Sequence, residues 1–288
     1  MAPSSTRPFV IVAPNGARRT KDDHPALPMT PAELAEVALA CADAGAAMIH
    51  MHARKADGSH SLEIDDNRAT YAAVKAAVAD RMLVQVTTEA IGIYRPEAQM
   101  QLIRELQPEA ASFGLRELIP SEEHEQRASE FFTWVSNTGI IAQYILYSAQ
   151  DLLYYLDLRE RGLLPAQNHH LLFVLGRYSP GMHSTPEDLT PFVPHLWKLK
   201  PVRWAVCAFG EREHDCLVEA VRLGGDARVG FENNLFAGDG RLAQDNATQV
   251  KQLYRSIQME KIQPLSTKEV REQLLATGET SDISAVLN

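Results

Sequence analysis

Cysteine is scarce: Cys41, Cys207 and Cys216 are the three in 288 residues, far apart and in no CxxC pair. That leaves no disulfide framework and no cysteine-type zinc site, and the three read as reduced structural thiols. Basic residues are outnumbered, 28 against 37 acidic for a formal charge of −9, and the only basic run is the short "RRTK" at Arg18 to Lys21. Such a balance disfavours nucleic acid as the main partner. Long apolar runs are also missing. The opening "MAPSSTRPFVIVAP" has one arginine and then only about six apolar residues before "PNG", too few for a signal h-region or a membrane span, so a cytoplasmic protein is expected. There is no Ser/Gly linker and no low-complexity tract. The Gly-rich phosphate turn of a dinucleotide-binding sheet does not follow the first apolar run, which argues against a doubly wound fold.

What is present is regular. With 45% hydrophobic and 23% charged residues the chain is in the ordinary globular range. Eight short β-rich runs alternate with longer helical patterns: "FVIVAP" near Phe9, "AMIHMHA" near Ala47, "MLVQVTT" near Met82, "EAASFGL" near Glu109, "IIAQYILY" near Ile140, "HLLFVLG" near His170, "VRWAVCAFG" near Val202 and "ARVGFEN" near Ala227. Helix starts are marked by caps. In "TPAE", Thr30 suits the N-cap, Pro31 the first helical position and Glu33 a capping box, with Leu34, Val37, Ala38 and Cys41 giving one apolar face. A similar "STPED" at Ser184 predicts the helix after the sixth run. Eight strand-then-helix units of roughly 25 to 40 residues fit an α/β fold of the (β/α)8 TIM-barrel type, for which about 250 residues is typical. The expectation is one barrel domain over residues 1–288 with a C-terminal helical extension.

Polar residues gather at the carboxyl ends of the runs, which in such a barrel meet on one rim, where its active sites are built. On the second run His50 and His52 point one way and Ile49 and Met51 the other. By itself this spacing also suits histidines that are merely hydrogen-bonded. On the eighth run Arg228, Gly230 and Glu232 share a face opposite Val229 and Phe231, and strands two and eight both flank strand one. His50, His52 and Glu232 can therefore converge, and two imidazoles with one carboxylate form a catalytic zinc set with a position open for water or substrate. The plainer role for Glu232 is a salt bridge to Arg228, whose planar fork of donors also suits a substrate carboxylate or developing negative charge. Gln85, Thr87 and Glu89 turn inward on the third run; Glu89 can shuttle protons or simply balance Arg54. Ser112, Gly114 and Arg116 share a face on the fourth and are candidate substrate contacts, as is Asn15, for which a turn is the default role. His169, His170, His183 and His214 lack a partner pattern and read as solvated or structural.

The ordered motifs "PNGARRTKDDHPALPMTPAELAEVALACADAGAAMIHMHARKADGSHS", "VQVTTEA", "GGDARVGFENN" and "GRLAQDNATQV" together resemble the β-keto acid cleavage enzymes, of which 3-keto-5-aminohexanoate cleavage was the first activity characterised. The resemblance runs from about Phe9 to the end of the chain. It implies a (β/α)8 barrel, commonly a homotetramer, with a divalent metal, usually Zn2+, held by the HxH histidines and the glutamate of "RxGxE", here His50, His52 and Glu232. It further implies condensation of the acetyl group of acetyl-CoA with a β-keto acid and cleavage of the adduct to acetoacetate and a new CoA thioester, with Arg228 stabilising anionic intermediates. Three departures stand out. The family pattern usually reads Glu-Asp-Asn, the aspartate being tied to proton abstraction; here the catalytic position holds Asn233, and an amide is no base, which makes Glu89 the best candidate. The PExE pattern of strand five is replaced, with Gln143 and Ile145 present. "SFGLRE" on strand four, with Arg116 and Glu117, implies altered substrate choice, toward an uncharged or acidic acyl group rather than an amino one. Two alternatives stay open at this point: a metal-dependent aldolase or hydrolase that uses no thioester, and a metal- or ligand-binding relative without turnover.

Overall fold

The computed structural model describes residues 6–167 and 169–275, so the first five residues of the amino-terminal stretch and the last thirteen of the expected domain lie outside the described residues. All eight apolar runs are strands: β1 (Val10–Val12), β2 (Met48–Met51), β3 (Leu83–Thr87), β4 (Ala110–Gly114), β5 (Ile141–Leu146), β6 (His169–Leu175), β7 (Arg203–Ala208) and β8 (Asp226–Val229). Each pairs in parallel with the next, and β8 closes on β1 through Val10–Ala227, Ile11–Arg228 and Val12–Val229. The chain is thus a closed (β/α)8 barrel.

Strand alternation sorts the side chains into two cores. Val10, Val12, Ile49, Met51, Val84, Val86 and Phe113 pack outward against the helices, while Ile11, Met48, Leu83, Ala110, Ile141 and Leu172 fill the barrel. Helices α1 (Pro31–Ala44), α2 (Ile64–Val78), α3 (Pro96–Leu106), α4 (Leu115–Leu118), α5 (Glu125–Asn137), α6 (Ala149–Glu160), α7 (Glu213–Arg222) and α8 (Asn246–Met259) surround it. Thr30 and Glu33 form the capping box of α1 read from the sequence. A last helix, α9 (Thr267–Leu274), places Val270 and Leu274 in the same inner cluster as Phe9, Met48 and Leu83. It closes the end of the barrel where β1, β2 and β3 begin. The cavity therefore opens at the opposite rim.

One helix expectation is corrected. Thr185 does form a capping box with Asp188, but between β6 and β7 the described residues carry only 3-10 turns, among them Pro186–Leu189 and Val193–Leu199, and no α-helix. Pro191 and Pro194 follow the cap closely, and each removes a backbone donor and clashes with the preceding turn of an α-helix.

Candidate metal centre

His50 lies on β2 and His52 just past its end, both pointing to the barrel axis, and Glu232 comes to meet them from the other side of β1. Glu232 is not on the strand face expected from the sequence: β8 stops at Val229 and Glu232 sits in the turn that follows. The turn depends on Gly230, whose φ of +142° and whose approach to Ala13 leave no room for a side chain, since a Cβ would stand 2.3 Å from the Ala13 carbonyl oxygen. Glu232 N–H then donates to Ala13 O at 3.0 Å. Gly16, at φ +61°, passes so close that a Cβ there would lie 2.5 Å from Glu232 Cγ. Two glycines thus set the carboxylate in place.

The three side chains offer ligand atoms in a tight triangle. His50 Nε2 and His52 Nε2 are 3.1 Å apart, and Glu232 Oε2 lies 3.5 Å from the first and 3.4 Å from the second. Tetrahedral zinc with bonds of about 2.0–2.1 Å separates its ligand atoms by about 3.3–3.4 Å, so the spacing fits a cation at the triangle. The chemistry of the donors fits as well. His50 Nδ1 donates to Gln85 Oε1 at 2.8 Å, which leaves Nε2 a bare lone pair. Burial holds both imidazoles neutral, drawing His50 down to about 4 and His52 to about 3. Glu232 Oε2 is buried with no hydrogen-bond donor. Burial would raise this carboxyl, but the Arg228 guanidinium holds it well below the usual range, so it is charged. The Nε2 lone pair of His50, the second imidazole and an anionic oxygen converge here, a donor set that a divalent cation would satisfy. Glu232 also keeps its salt bridge: Oε1 accepts from Arg228 Nη2 at 3.0 Å. Its two oxygens serve both roles considered for it.

Arg228 points into the barrel, where the same Nη2 reaches Cys207 Sγ and Asn233 Oδ1, each at 3.3 Å. Asn233 is fully buried, and its Nδ2 has no partner. It can therefore offer a hydrogen bond but accept no proton. Asn15 Nδ2 donates to His52 O at 2.9 Å and its Oδ1 accepts from His52 N–H at 3.3 Å, so it anchors the His52 peptide while lining the cavity. Thr87 lines it too and accepts Glu89 N–H on its hydroxyl at 3.0 Å. Glu89 stands beside the centre with Oε2 3.9 Å from His52 Nδ1, and burial and then Glu232 push its carboxyl up to about 7. Arg54 makes no direct pair with it and acts on it only at longer range. That guanidinium donates to the carbonyls of Gly16, Arg19 and Gly58, and the cation nearest Glu89 is Arg177, 3.8 Å from Oε1.

The strand-four candidates are placed differently from one another. Ser112 and Gly114 are buried in β4, the Ser112 hydroxyl without a partner, and neither lines the cavity. Arg116 does not share their face, because the strand ends at Gly114 and Arg116 belongs to α4. It pairs with Asp151 at 2.6 Å and lies over the rings of Tyr147 and Tyr178. Tyr147 does line the cavity, so Arg116 touches it through that ring. His169 and His170 are buried and structural: His169 Nδ1 accepts from the Tyr155 hydroxyl at 2.8 Å, and His170 lies between Gln143 and Asp226.

The cavity holds about 700 Å³ including the part open to solvent, with Ile145, Tyr147, Val174, Met182 and Phe209 on one wall and Arg18, Arg19 and Arg177 among its polar lining. Arg18, Arg19 and the apolar wall escaped the sequence reading as site residues, and so did Arg177 and His60. Arg177 sits in the irregular "GRYSPG" stretch, where no periodicity assigns a direction. His60 donates from Nε2 to Glu89 O at 2.8 Å and packs against the His52 ring at 5.2 Å; its only sequence signal was a lone histidine in a turn-rich segment.

Comparison with known proteins gives a consistent set. The sequence profile described as beta-keto acid cleavage enzyme matches residues 8–275. Among curated relatives, the 3-keto-5-aminohexanoate cleavage enzyme of Acetoanaerobium sticklandii is 26% identical over 254 residues, covering 86% of this chain and 90% of that protein. The 3,5-dioxohexanoate:acetyl-CoA acetone transferase of Paraburkholderia graminis is 27% identical over 302 residues, covering 94% and 96%. The 3-oxoadipate:acetyl-CoA acetyltransferase of Cupriavidus necator is 26% identical over 256 residues, covering 86% and 88%. The apo structure of ObcA superposes with a TM-score of 0.71 at 16% identity over 87% of this chain, which spans 65% of that longer protein; at that identity the likeness concerns the fold.

Proposed function

The chain belongs to the beta-keto acid cleavage enzyme family, and from that premise we propose that it is a metal-dependent enzyme condensing a β-keto acid with acetyl-CoA and releasing acetoacetate and an acyl-CoA. The observation that carries the reading is the convergence of His50, His52 and Glu232 on one point at the cavity floor. Two nitrogens and one oxygen suit zinc, the ion we propose. When bound, a divalent cation supplies Lewis-acid stabilisation of carbonyl and carboxylate oxygens as negative charge grows on them.

The chain's own residues do the rest. Gln85 fixes the His50 tautomer, and Asn15 fixes the His52 backbone. Arg228, buried and anchored on Glu232, presents its guanidinium to the anionic part of the substrate. Glu89 takes the proton from the carbon between the two carbonyls of the β-keto acid, since Asn233 cannot. A carboxyl near 7 suits a base at neutral pH, and a cation beside it draws the value lower and keeps it ionised. The apolar wall receives the acyl chain, and Arg18 and Arg19 face the thioester. Thr87 is proposed as a substrate contact at the rim; Ser112, Gly114 and Arg116 are proposed to act from behind the cavity wall.

A cytoplasmic homotetramer, built of single barrel domains with α9 as the C-terminal extension, belongs to the same proposal. It is supported by the family resemblance and by three free, buried cysteines, which suit a reducing compartment. The test is a panel of β-keto acids incubated with and without acetyl-CoA. Acetoacetate and acyl-CoA formed only when acetyl-CoA is present is the expected result; cleavage without it would point to an aldolase or hydrolase, and ligand binding without turnover to a non-catalytic relative.

A further inference from the structure

Charge around the cavity is unbalanced. Four arginines, Arg18, Arg19, Arg177 and Arg228, line it against two carboxylates, Glu89 and Glu232. Arg228 is engaged by Glu232 and Asn233, and Arg19 by the carbonyls of Phe231 and Asn233. Arg177 is not engaged in this way. Its Nη1 meets only the Met182 thioether at 3.4 Å, and its Nη2 stays 3.8 Å from Glu89 Oε1, beyond hydrogen-bond distance. Among the described residues no oxygen accepts from it, although its side chain is only 19% exposed. A guanidinium that lines the cavity without an oxygen acceptor has its donors free to meet a ligand. The guanidinium is also held in place, its carbon 5.3 Å from the centre of the Phe209 ring.

Its position gives the ligand its shape. Glu89 faces His52 with one oxygen and Arg177 with the other, so Arg177 stands one carboxylate beyond the histidines. The wall beside it, Ile145, Tyr147 and Val174, is apolar apart from the tyrosine hydroxyl. A molecule with oxygen groups at the metal centre, a short carbon chain along that wall and an anionic far end satisfies all three features. Resting on the function proposed above, we infer that the preferred substrates are β-keto acids carrying a second carboxylate at the end of the acyl chain, and that Arg177 reads that carboxylate. A bidentate guanidinium–carboxylate pair would discharge the unused donors and offset the excess positive charge. A CoA phosphate is the other anion available to this arginine, and the test separates the two.

The wild-type enzyme is compared on β-keto acids of equal chain length, one ending in carboxylate and one in methyl, beside Arg177→Met and Arg177→Lys. The wild type should favour the diacid. Arg177→Met should lower kcat/KM for the diacid at least tenfold more than for the methyl-ended acid, without raising the KM for acetyl-CoA; Arg177→Lys should retain part of the preference. A wild type that favours the methyl-ended acid overturns the inference, as does a variant in which both acids fall together or the KM for acetyl-CoA rises. Calorimetric binding of saturated dicarboxylates and monocarboxylates to the metal-loaded wild type needs neither turnover nor a variant. Diacid selectivity in binding with no acetyl-CoA-dependent turnover would sink the function and leave this inference standing; no selectivity sinks the inference whatever the turnover.

Discussion

Glu232 serves two masters within one carboxylate, and that division explains why neither role read from the sequence displaced the other: Oε1 belongs to Arg228 and Oε2 to the two imidazoles. Glu89 is a separate case, close to the centre but not part of the triangle. Replacing it by glutamine should leave metal content unchanged and lower kcat by about 10²-fold or more, as loss of a general base does; turnover within a factor of a few of wild type would move the proton to another group. Asn233→Asp in the same background is informative, because it restores a carboxylate at the neighbouring position and should recover part of the rate. Strand alternation made the inward direction of His50, His52, Gln85 and Arg228 legible, since each lies on or just past a strand with unambiguous apolar neighbours. Arg177 and His60 were not legible. Their directions come from loops, where no period applies and tertiary contacts with Phe209, Met182 and Glu89 decide.

Between residue and barrel, the elements that aim the site are its turns rather than its strands. Gly16→Ala should move Glu232: the new Cβ meets Glu232 Cγ at 2.5 Å, and φ of +61° strains any L side chain. A loss of about 1 kcal/mol or more in stability, with metal affinity weakened at least tenfold, is expected from denaturation and metal titration. Gly92→Ala is the control, having φ of +81° with nothing within 4 Å of its Cβ. It should share the backbone strain and leave metal affinity alone. Equal metal affinity in both variants would show that Gly16 does not place the carboxylate. The eight strands and the α1 capping box were legible because short apolar runs and cap residues are local signals. The stretch between β6 and β7 was misread because a genuine cap at Thr185 was followed by prolines that a cap cannot overrule. The turn carrying Glu232 was misread as strand because alternation in "ARVGFEN" continues past the glycine that ends it.

For the whole molecule, buried neutral histidines tie stability to pH. Burial, with a smaller push from Arg159, draws His169 down to about 3, against 6.5 when unperturbed, and burial lowers His170 despite Asp226. Between those values the unfolded chain binds a proton that the folded chain refuses, so stability falls as pH falls through that window and is flat above about pH 7. His169 alone should cost about 2 kcal/mol between pH 7 and pH 5, seen as a lower urea midpoint at the acidic pH; an unchanged midpoint would mean that the ring is protonated inside the fold. The barrel itself was legible as a whole because alternating runs at even spacing admit few topologies, and α9 sealing one end leaves the other as the single mouth for the site. The account stands on that mouth holding one cation. Bound metal per chain, counted in wild type and in Glu232→Ala after equal exposure to Zn2+ and desalting, tests this most directly. One ion per chain in the wild type and almost none in the variant is the predicted result, and an ion retained in full by Glu232→Ala, or absent from both, would contradict it.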